Sequence, residues 1–319
     1  MINRELIRIK LVQVLYSYLQ KGSHDPDKAE KELLLSLDKA YDLYNYMLLL
    51  MVEVGRMSVR VLEMRQARSK KLRDGISWSR KFVDNRFIIQ LDSNRQLRAY
   101  CAEHDLNWDE QEMFVRDLYN KVEESEYYKN YMASESSTYA EDREVWRLIY
   151  RNIFVGNDEL SDLLEDINVY WNDDKTIIDT FVLKTINRFT ENSTAAQPLM
   201  PEYKSDSDRD FATKLLYRAI VGQEHINSLI SESTHKWEFK RIALMDRIIL
   251  QLGLAEITAF PNIPLSVSIN EYVEIAKMYS TPKSDKYINA TLDTIAKKLI
   301  KEGKLNKETS QSPAEEEGN

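Results

Sequence analysis

The chain has 319 residues with only 8 Gly and 7 Pro, a single cysteine and a formal net charge of −8. So few glycines and prolines starve turns and hairpins and favour long helices. Cys101 alone excludes an internal disulfide framework and fits a reducing compartment. A broad basic surface for nucleic acid is excluded as well, because such affinity comes largely from counterions displaced by Lys and Arg. From Lys70 to Lys204 there are 26 acidic and 18 basic residues, so the whole acidic excess lies in the middle of the chain.

In chain order, the first helix spans Asn3 to Gln20, with Ile7, Leu11, Val14, Leu15 and Tyr18 on one apolar stripe and Arg4 and Arg8 on a different face. Asp25 followed by Pro26 reads as an N-cap with proline at the first helical position. One or two long helices then run to about Arg68. Their most apolar run, Tyr46 to Val54, contains Glu53 and is far too short to cross a bilayer. No charged start leads into an apolar leader, and the pattern predicts a soluble, cytoplasmic protein.

The middle third predicts helices from Asn107 to Val122, Tyr139 to Phe154, Glu159 to Trp171 and Thr176 to Phe189, with Asn157 as a cap. Thr190 to Asp208, polar and holding Pro198 and Pro201, reads as a linker. Helical periodicity returns at Phe211 to Ile230 and at Lys236 to Ile257. Two prolines fix a loop from Phe260 to Pro264. Ser268 and Glu271 stand in capping-box spacing for a helix through Tyr279, and Ser284 reads as the cap of a last helix ending near Gly303. The polar residues 306–319, with Glu315-Glu316-Glu317, predict a disordered tail. No segment reads as strand, so the fold class is all-α.

Three stretches carry a resemblance: WEFKRIALMDRIILQLGLAEI (Trp237 to Ile257), IPLSVSINEYVEIAKMYS (Ile263 to Ser280) and DKYINATLDTIAKKL (Asp285 to Leu299). With RIKLVQVLYSY (Arg8 to Tyr18) near the front, they resemble the NusB family in order, spacing and signature. The family usually has Gly where this chain has Ala290, and its amino-terminal run is often richer in arginine than Arg4, Arg8 and Lys10. The resemblance implies a NusB-like helical bundle formed by residues 1–22 and 205–305. Between them, residues 23–204 look like a large helical insertion or subdomain. Because the first helix must pack on distant carboxyl-terminal helices, that module is expected to be discontinuous in sequence.

The resemblance also implies a function. Family members bind boxA-type single-stranded leader RNA together with the ribosomal protein NusE and support antitermination of ribosomal RNA transcription within the Nus/RNA polymerase complex. A basic partner would supply phosphate contacts that this acidic chain lacks. On the same basis Arg4, Arg8 and Lys10 are candidate RNA contacts, against the plain reading of a solvated helix face. Beside Lys283 and Lys286, which would hold phosphates, Tyr287 would stack an unpaired base or simply pack as a helix tyrosine. Asn289 and Asp293 would touch RNA or bond neighbouring loops. Tyr16 and Glu256 are candidates to face NusE, or else ordinary surface residues.

Other classes find little support. His24, His104, His225 and His235 are scattered and show no zinc spacing with Cys101. No phosphate loop, nucleophile elbow or dinucleotide fingerprint occurs. The acids Asp158, Glu159, Asp162, Glu165 and Asp166 read as a solvated face rather than a metal site. NusB-like modules also occur fused to RNA methyltransferases, but no α/β domain is present. The expectation is a non-enzymatic protein without cofactor, metal, membrane or small-molecule substrate. The alternative is a helical protein-interaction scaffold whose RNA face has decayed, working through its acidic insertion.

Overall fold

A computed structural model describes residues 1–22, 25–135, 138–233 and 241–307. His24, His235, the start of the helix expected from Lys236 and the tail from residue 308 lie outside these described residues. Among them no strand occurs, and the one isolated β-bridge joins Ile2 to Tyr203. No helix among them is long and apolar enough to cross a membrane.

The chain divides into two compact units, one formed by Met1 with Asp38–Glu202 and the other by Ile2–Leu37 with Tyr203–Asn319. The second unit draws on both ends of the sequence. Its helices are α1 (Arg4–Gln20), the first turns of α2 (Pro26–Leu72), α10 (Asp206–Val221), α11 (Gln223–Ser233), α12 (Leu244–Ala259), α13 (Leu265–Tyr279) and α14 (Ser284–Lys301). The first unit contains the rest of α2, then α3 (Arg86–Asp92), α4 (Arg95–Glu103), α5 (Glu112–Glu124), α6 (Glu126–Ala133), α7 (Tyr139–Ile149), α8 (Asp158–Ile167) and α9 (Lys175–Arg188).

Local chemistry accounts for many boundaries. Asp25 Oδ1 accepts from the amides of Asp27 and Lys28 at 3.1 and 3.2 Å, which starts α2 at Pro26. Asn157 caps α8 through the Leu160 amide at 3.0 Å. Two short helices not anticipated from sequence, α3 and α4, are capped in the same way by Asn85 and Asn94. The periodic stretch expected as one helix from Phe211 to Ile230 is broken at Gly222, where a Cβ would meet the Arg218 carbonyl oxygen at 2.6 Å.

The first unit is held by buried polar hubs. Asp179 accepts from Tyr150 Oη at 2.7 Å and from Lys175 Nζ at 2.8 Å. Burial pushes the Asp179 carboxyl above its ordinary range, with Lys175 opposing. Thr190 to Asp208, expected as a linker, is stitched down over its first half. Arg95 N donates to Ala195 O at 2.8 Å, Asn94 Nδ2 to Gln197 O at 2.8 Å, and Tyr41 Oη to Met200 O at 2.9 Å. Its polarity is that of backbone satisfied by side chains rather than of a free tether. The acidic residues of α8, Asp158, Glu159, Asp162, Glu165 and Asp166, are all exposed, and no group of metal-binding residues occurs among the described residues.

α1 corrects a second expectation. Rather than presenting one stripe, it is buried nearly all round, including Leu6, Ile9 and Val12 as well as Ile7, Leu11 and Leu15. It packs on α10 and α12. Buried on nearly every side, with even Arg8 and Lys10 enclosed, α1 is a central strut of the discontinuous unit.

Candidate nucleic-acid interface

The interior of the discontinuous unit is organised by one carboxylate. Glu256, near the end of α12, is 0 % exposed and accepts four hydrogen bonds. Arg8 Nε and Nη2 reach it bidentately, each at 2.8 Å, Ser268 Oγ at 2.7 Å and Tyr272 Oη at 3.0 Å. Arg8 Nη1 continues to Glu271 at 2.9 Å. Burial works against the Arg8 charge, but the hydrogen bonds and charge of Glu256, with Tyr272 and Glu271, outweigh it and hold the guanidinium above its ordinary value. Burial and the same carboxylate push the Tyr272 phenol well up. One ion pair thereby ties α1 to α12 and α13.

This network corrects several expectations. Arg8, expected to face RNA, is 3 % exposed, and Lys10 is 1 % exposed, so neither offers its charge to solvent. Glu256, expected to face a protein partner, has its carboxylate used internally. Ser268 does not form a capping box with Glu271. The helix starts earlier, after Pro264, and the Ser268 hydroxyl is drawn to Glu256 instead. Lys307, expected within the tail from residue 306, is buried. Burial pulls the Lys307 ammonium down while Glu256 opposes it.

The outer edge of this network is cationic and aromatic. Arg4 lies 4.9 Å above the Phe211 ring and Arg8 5.4 Å from it. Phe211 meets Phe260 at 4.9 Å, and Lys214 lies 5.1 Å over Phe260. Arg4 Nε is 3.3 Å from Asp208, with 42 % of its side chain exposed. Beside Arg4 opens a cleft of about 370 Å3 lined by Asn3, Glu5, Asn262, Val267 and Glu271 among others. Sequence reasoning missed Phe211, Lys214, Phe260 and Asn262. Their only signal was helical periodicity and a loop, and their grouping depends on α1 lying across α10.

The second cationic feature is the turn before α14. Asp246 accepts from Ser280 Oγ at 2.5 Å and from Ser284 Oγ at 3.1 Å, and Thr281 Oγ1 lies 3.0 Å from Ser284 Oγ. Ser284, expected to cap α14, is thus used as a rivet to α12. Lys283 takes the position before the helix in the left-handed region at φ 79°. For a side chain other than glycine that conformation costs about 1–2 kcal/mol. Lys283, Lys286 and Asn289 are exposed, and Tyr287 is half-buried. Asp293 pairs with Lys297 at 2.7 Å. Ala290 is exposed, so the methyl group that replaces the family's usual glycine meets no crowded helix contact. The close approach occurs at Gly253, where a Cβ would lie 3.0 Å from Leu292 and 3.3 Å from Tyr272. Tyr16 is 40 % exposed on α1 and accepts from Gln20 at 3.2 Å.

These features define an all-helical protein whose discontinuous bundle is locked by a buried Arg–Glu pair and carries exposed cations at its helix ends. The NusB family profile matches residues 176–297, which span α9 to α14. The transcription antitermination protein NusB of Salinibacter ruber is 37 % identical over 108 residues, covering 34 % of this chain and 68 % of the relative. Its counterpart from Koribacter versatilis is 41 % identical over 96 residues, or 30 % of this chain and 66 % of the relative. That from Chloroherpeton thalassium is 35 % identical over 99 residues, or 31 % of this chain and only 47 % of the relative. Among solved structures, T. maritima NusB matches at 27 % identity and a TM-score of 0.30, covering 45 % of this chain and 89 % of that one. The chain belongs to the NusB family.

Proposed function

We propose that this protein is a non-enzymatic transcription antitermination factor that binds boxA-type single-stranded leader RNA together with a NusE-like ribosomal protein. The observation that carries the proposal is the start of α14, where Lys283 just before the helix and Lys286 in its first turn are exposed and Tyr287 is half-buried, in a chain whose relatives are antitermination proteins. Two exposed lysines within four residues of an aromatic side chain match what an unpaired nucleotide offers, a phosphate and a π-face. In this reading Lys283, Lys286, Tyr287 and Asn289 form one RNA contact and Arg4, over Phe211, another. Arg8 and Lys10 act from the interior by fixing α1, and Glu256 does so by holding Arg8. Tyr16, exposed on α1, faces the protein partner. The overall acidity fits a division of labour in which a basic partner supplies further phosphate contacts.

The test is anisotropy titration of a labelled boxA RNA against wild type and the double variant Lys283→Glu/Lys286→Glu, at two salt concentrations. Each lost phosphate contact lowers the salt slope by about 0.7 on a single strand, so the variant binds at least tenfold more weakly with a slope flatter by more than 1. An unchanged affinity and slope would remove this turn from the interface.

A further inference from the structure

The first unit carries its own cationic feature, which the NusB likeness does not reach, because the family profile begins at residue 176. The end of α2 and the loop after it, Arg68 to Lys81, hold six basic residues against one acid, Asp74, in a chain of net charge −8. Every residue from Lys70 to Arg80 is exposed. Asp74 is engaged by Ser69, with Arg68 contributing to its lowered pKa. Arg80 pairs with Asp84 at 2.9 Å, and Lys81 donates to Ser134 O at 2.6 Å. Lys70, Lys71 and Arg73 carry no ion pair among the described residues. Two lysines in a last turn would satisfy the helix dipole. Arg68 and Arg73 exceed that need, and Arg73 sits at φ 55°, where glycine would be the unstrained choice.

A second observation lies in the same segment, which Ser69 Oγ ties back to the end of α2 by donating to Ile76 O at 3.2 Å. Trp78 is 36 % exposed and is stacked by the Arg65 guanidinium at 5.1 Å from its ring centroid. It opens onto a recess of about 240 Å3, lined also by Phe82, Tyr119, Tyr128 and the Arg65–Glu123 pair. Free cations next to an aromatic recess are the chemistry that holds single-stranded nucleic acid, phosphates on the cations and a base on the rings. An acidic protein segment would use the cations but has no need of the recess.

We propose that Lys70, Lys71, Arg73 and Trp78 form a second single-stranded RNA site on the helical insertion. The cations neutralise successive phosphates, and Trp78 provides the stacking surface at the mouth of the recess. The site extends the RNA-binding reading above from the turn before α14 to the insertion. It reads no sequence, and its contribution is retention of RNA flanking a specific element.

The test uses the full-length protein and a 3′-labelled oligouridine 12-mer, with anisotropy read across a salt series. The cation variant is Lys70→Gln/Lys71→Gln/Arg73→Gly, whose glycine suits the left-handed position, and the stacking variant is Trp78→Ala. A melting curve within a few degrees of wild type establishes that each is folded. The site predicts a loss of at least tenfold for the cation variant, with the salt slope flatter by about 2 for three cations. Trp78→Ala is predicted to weaken binding severalfold at unchanged slope. Lys283→Glu/Lys286→Glu, run in parallel on boxA RNA, separates the two readings. If that variant loses boxA binding while the cation variant leaves oligouridine binding unchanged, the second site is overturned and the functional reading stands. Failure of wild type to bind oligouridine overturns the second site in the same way. If the cation variant loses binding, Trp78→Ala does not, and polyglutamate displaces the oligonucleotide equally well, the patch is an acidic-protein surface and the RNA assignment falls.

Discussion

Replacing Glu256 by Gln keeps the side chain's shape and removes its charge, leaving the Arg8 guanidinium 3 % exposed with Glu271, at 2.9 Å, as its remaining charged partner among the described residues. Breaking one side of a buried pair costs about 3–5 kcal/mol, because the remaining charge is uncompensated. Here the loss is compounded, since Ser268 and Tyr272 also donate to the same carboxylate, at 2.7 and 3.0 Å. Against a typical domain stability of about 5–15 kcal/mol that removes a large share of what holds the discontinuous unit folded. With a urea slope of roughly 2–3 kcal/mol/M, the unfolding midpoint falls by about 1–2 M. Arg8→Met/Glu256→Met, which removes both charges and keeps the volume, recovers the part due to the uncompensated Arg8 charge but not the part due to the Ser268 and Tyr272 hydroxyls, which lose their acceptor in it as well. Urea denaturation followed by far-UV circular dichroism reads all three proteins. A Glu256→Gln midpoint within about 0.3 M of wild type would refute the claim that this pair locks α1 into the module.

Four further outcomes are expected. Lys283→Gly relieves the left-handed residue and removes a charge, so thermal stability stays within about 1 kcal/mol of wild type while boxA affinity falls severalfold; a fall in stability matching the fall in affinity would contradict this. Gly253→Val forces a branched side chain onto Leu292 and Tyr272 and costs about 1–3 kcal/mol in a melting experiment. Burial, with the Asp42 charge, pushes the Cys101 thiol up to about 11; native protein at pH 8 should therefore resist iodoacetamide at least about a hundredfold longer than urea-unfolded protein, as mass spectrometry will show. Removal of residues 1–22 takes away α1 and is expected to unfold the carboxyl-terminal helices, visible as loss of their cooperative melting; a truncated chain that melts as sharply as wild type would show α1 to be dispensable.

What the sequence made legible was local. The Asp25–Pro26 start of α2 and the Asn157 cap of α8 are each decided within three residues, and both stand as expected. Asn85 and Asn94 carried the same signal for α3 and α4, but those helices are too short to show a periodic face. The misread residues are those whose partners are distant. Arg8 reads as a surface charge until Glu256, 248 residues away, is placed against it. Ser268 and Ser284 read as caps because their spacing is right, yet their hydroxyls go to Glu256 and Asp246. The segment after Thr190 reads as a linker because its polar backbone is satisfied by Gln90, Asn94 and Tyr41 about a hundred residues or more away. Of the expected site, Lys283 and Lys286 were singled out by the resemblance in the last motif, and both are exposed at the start of α14. The Arg4–Phe211–Phe260 stack was not, since it joins three separate elements.

The central claim is tested most directly by anisotropy of a labelled boxA RNA with the wild-type protein, with and without purified cognate NusE and against a scrambled RNA of equal composition. Salt-sensitive binding that strengthens when NusE is added and is lost on scrambling is the expected result. Equal binding of boxA and scrambled RNA in the presence of NusE, or no binding of either, would contradict it.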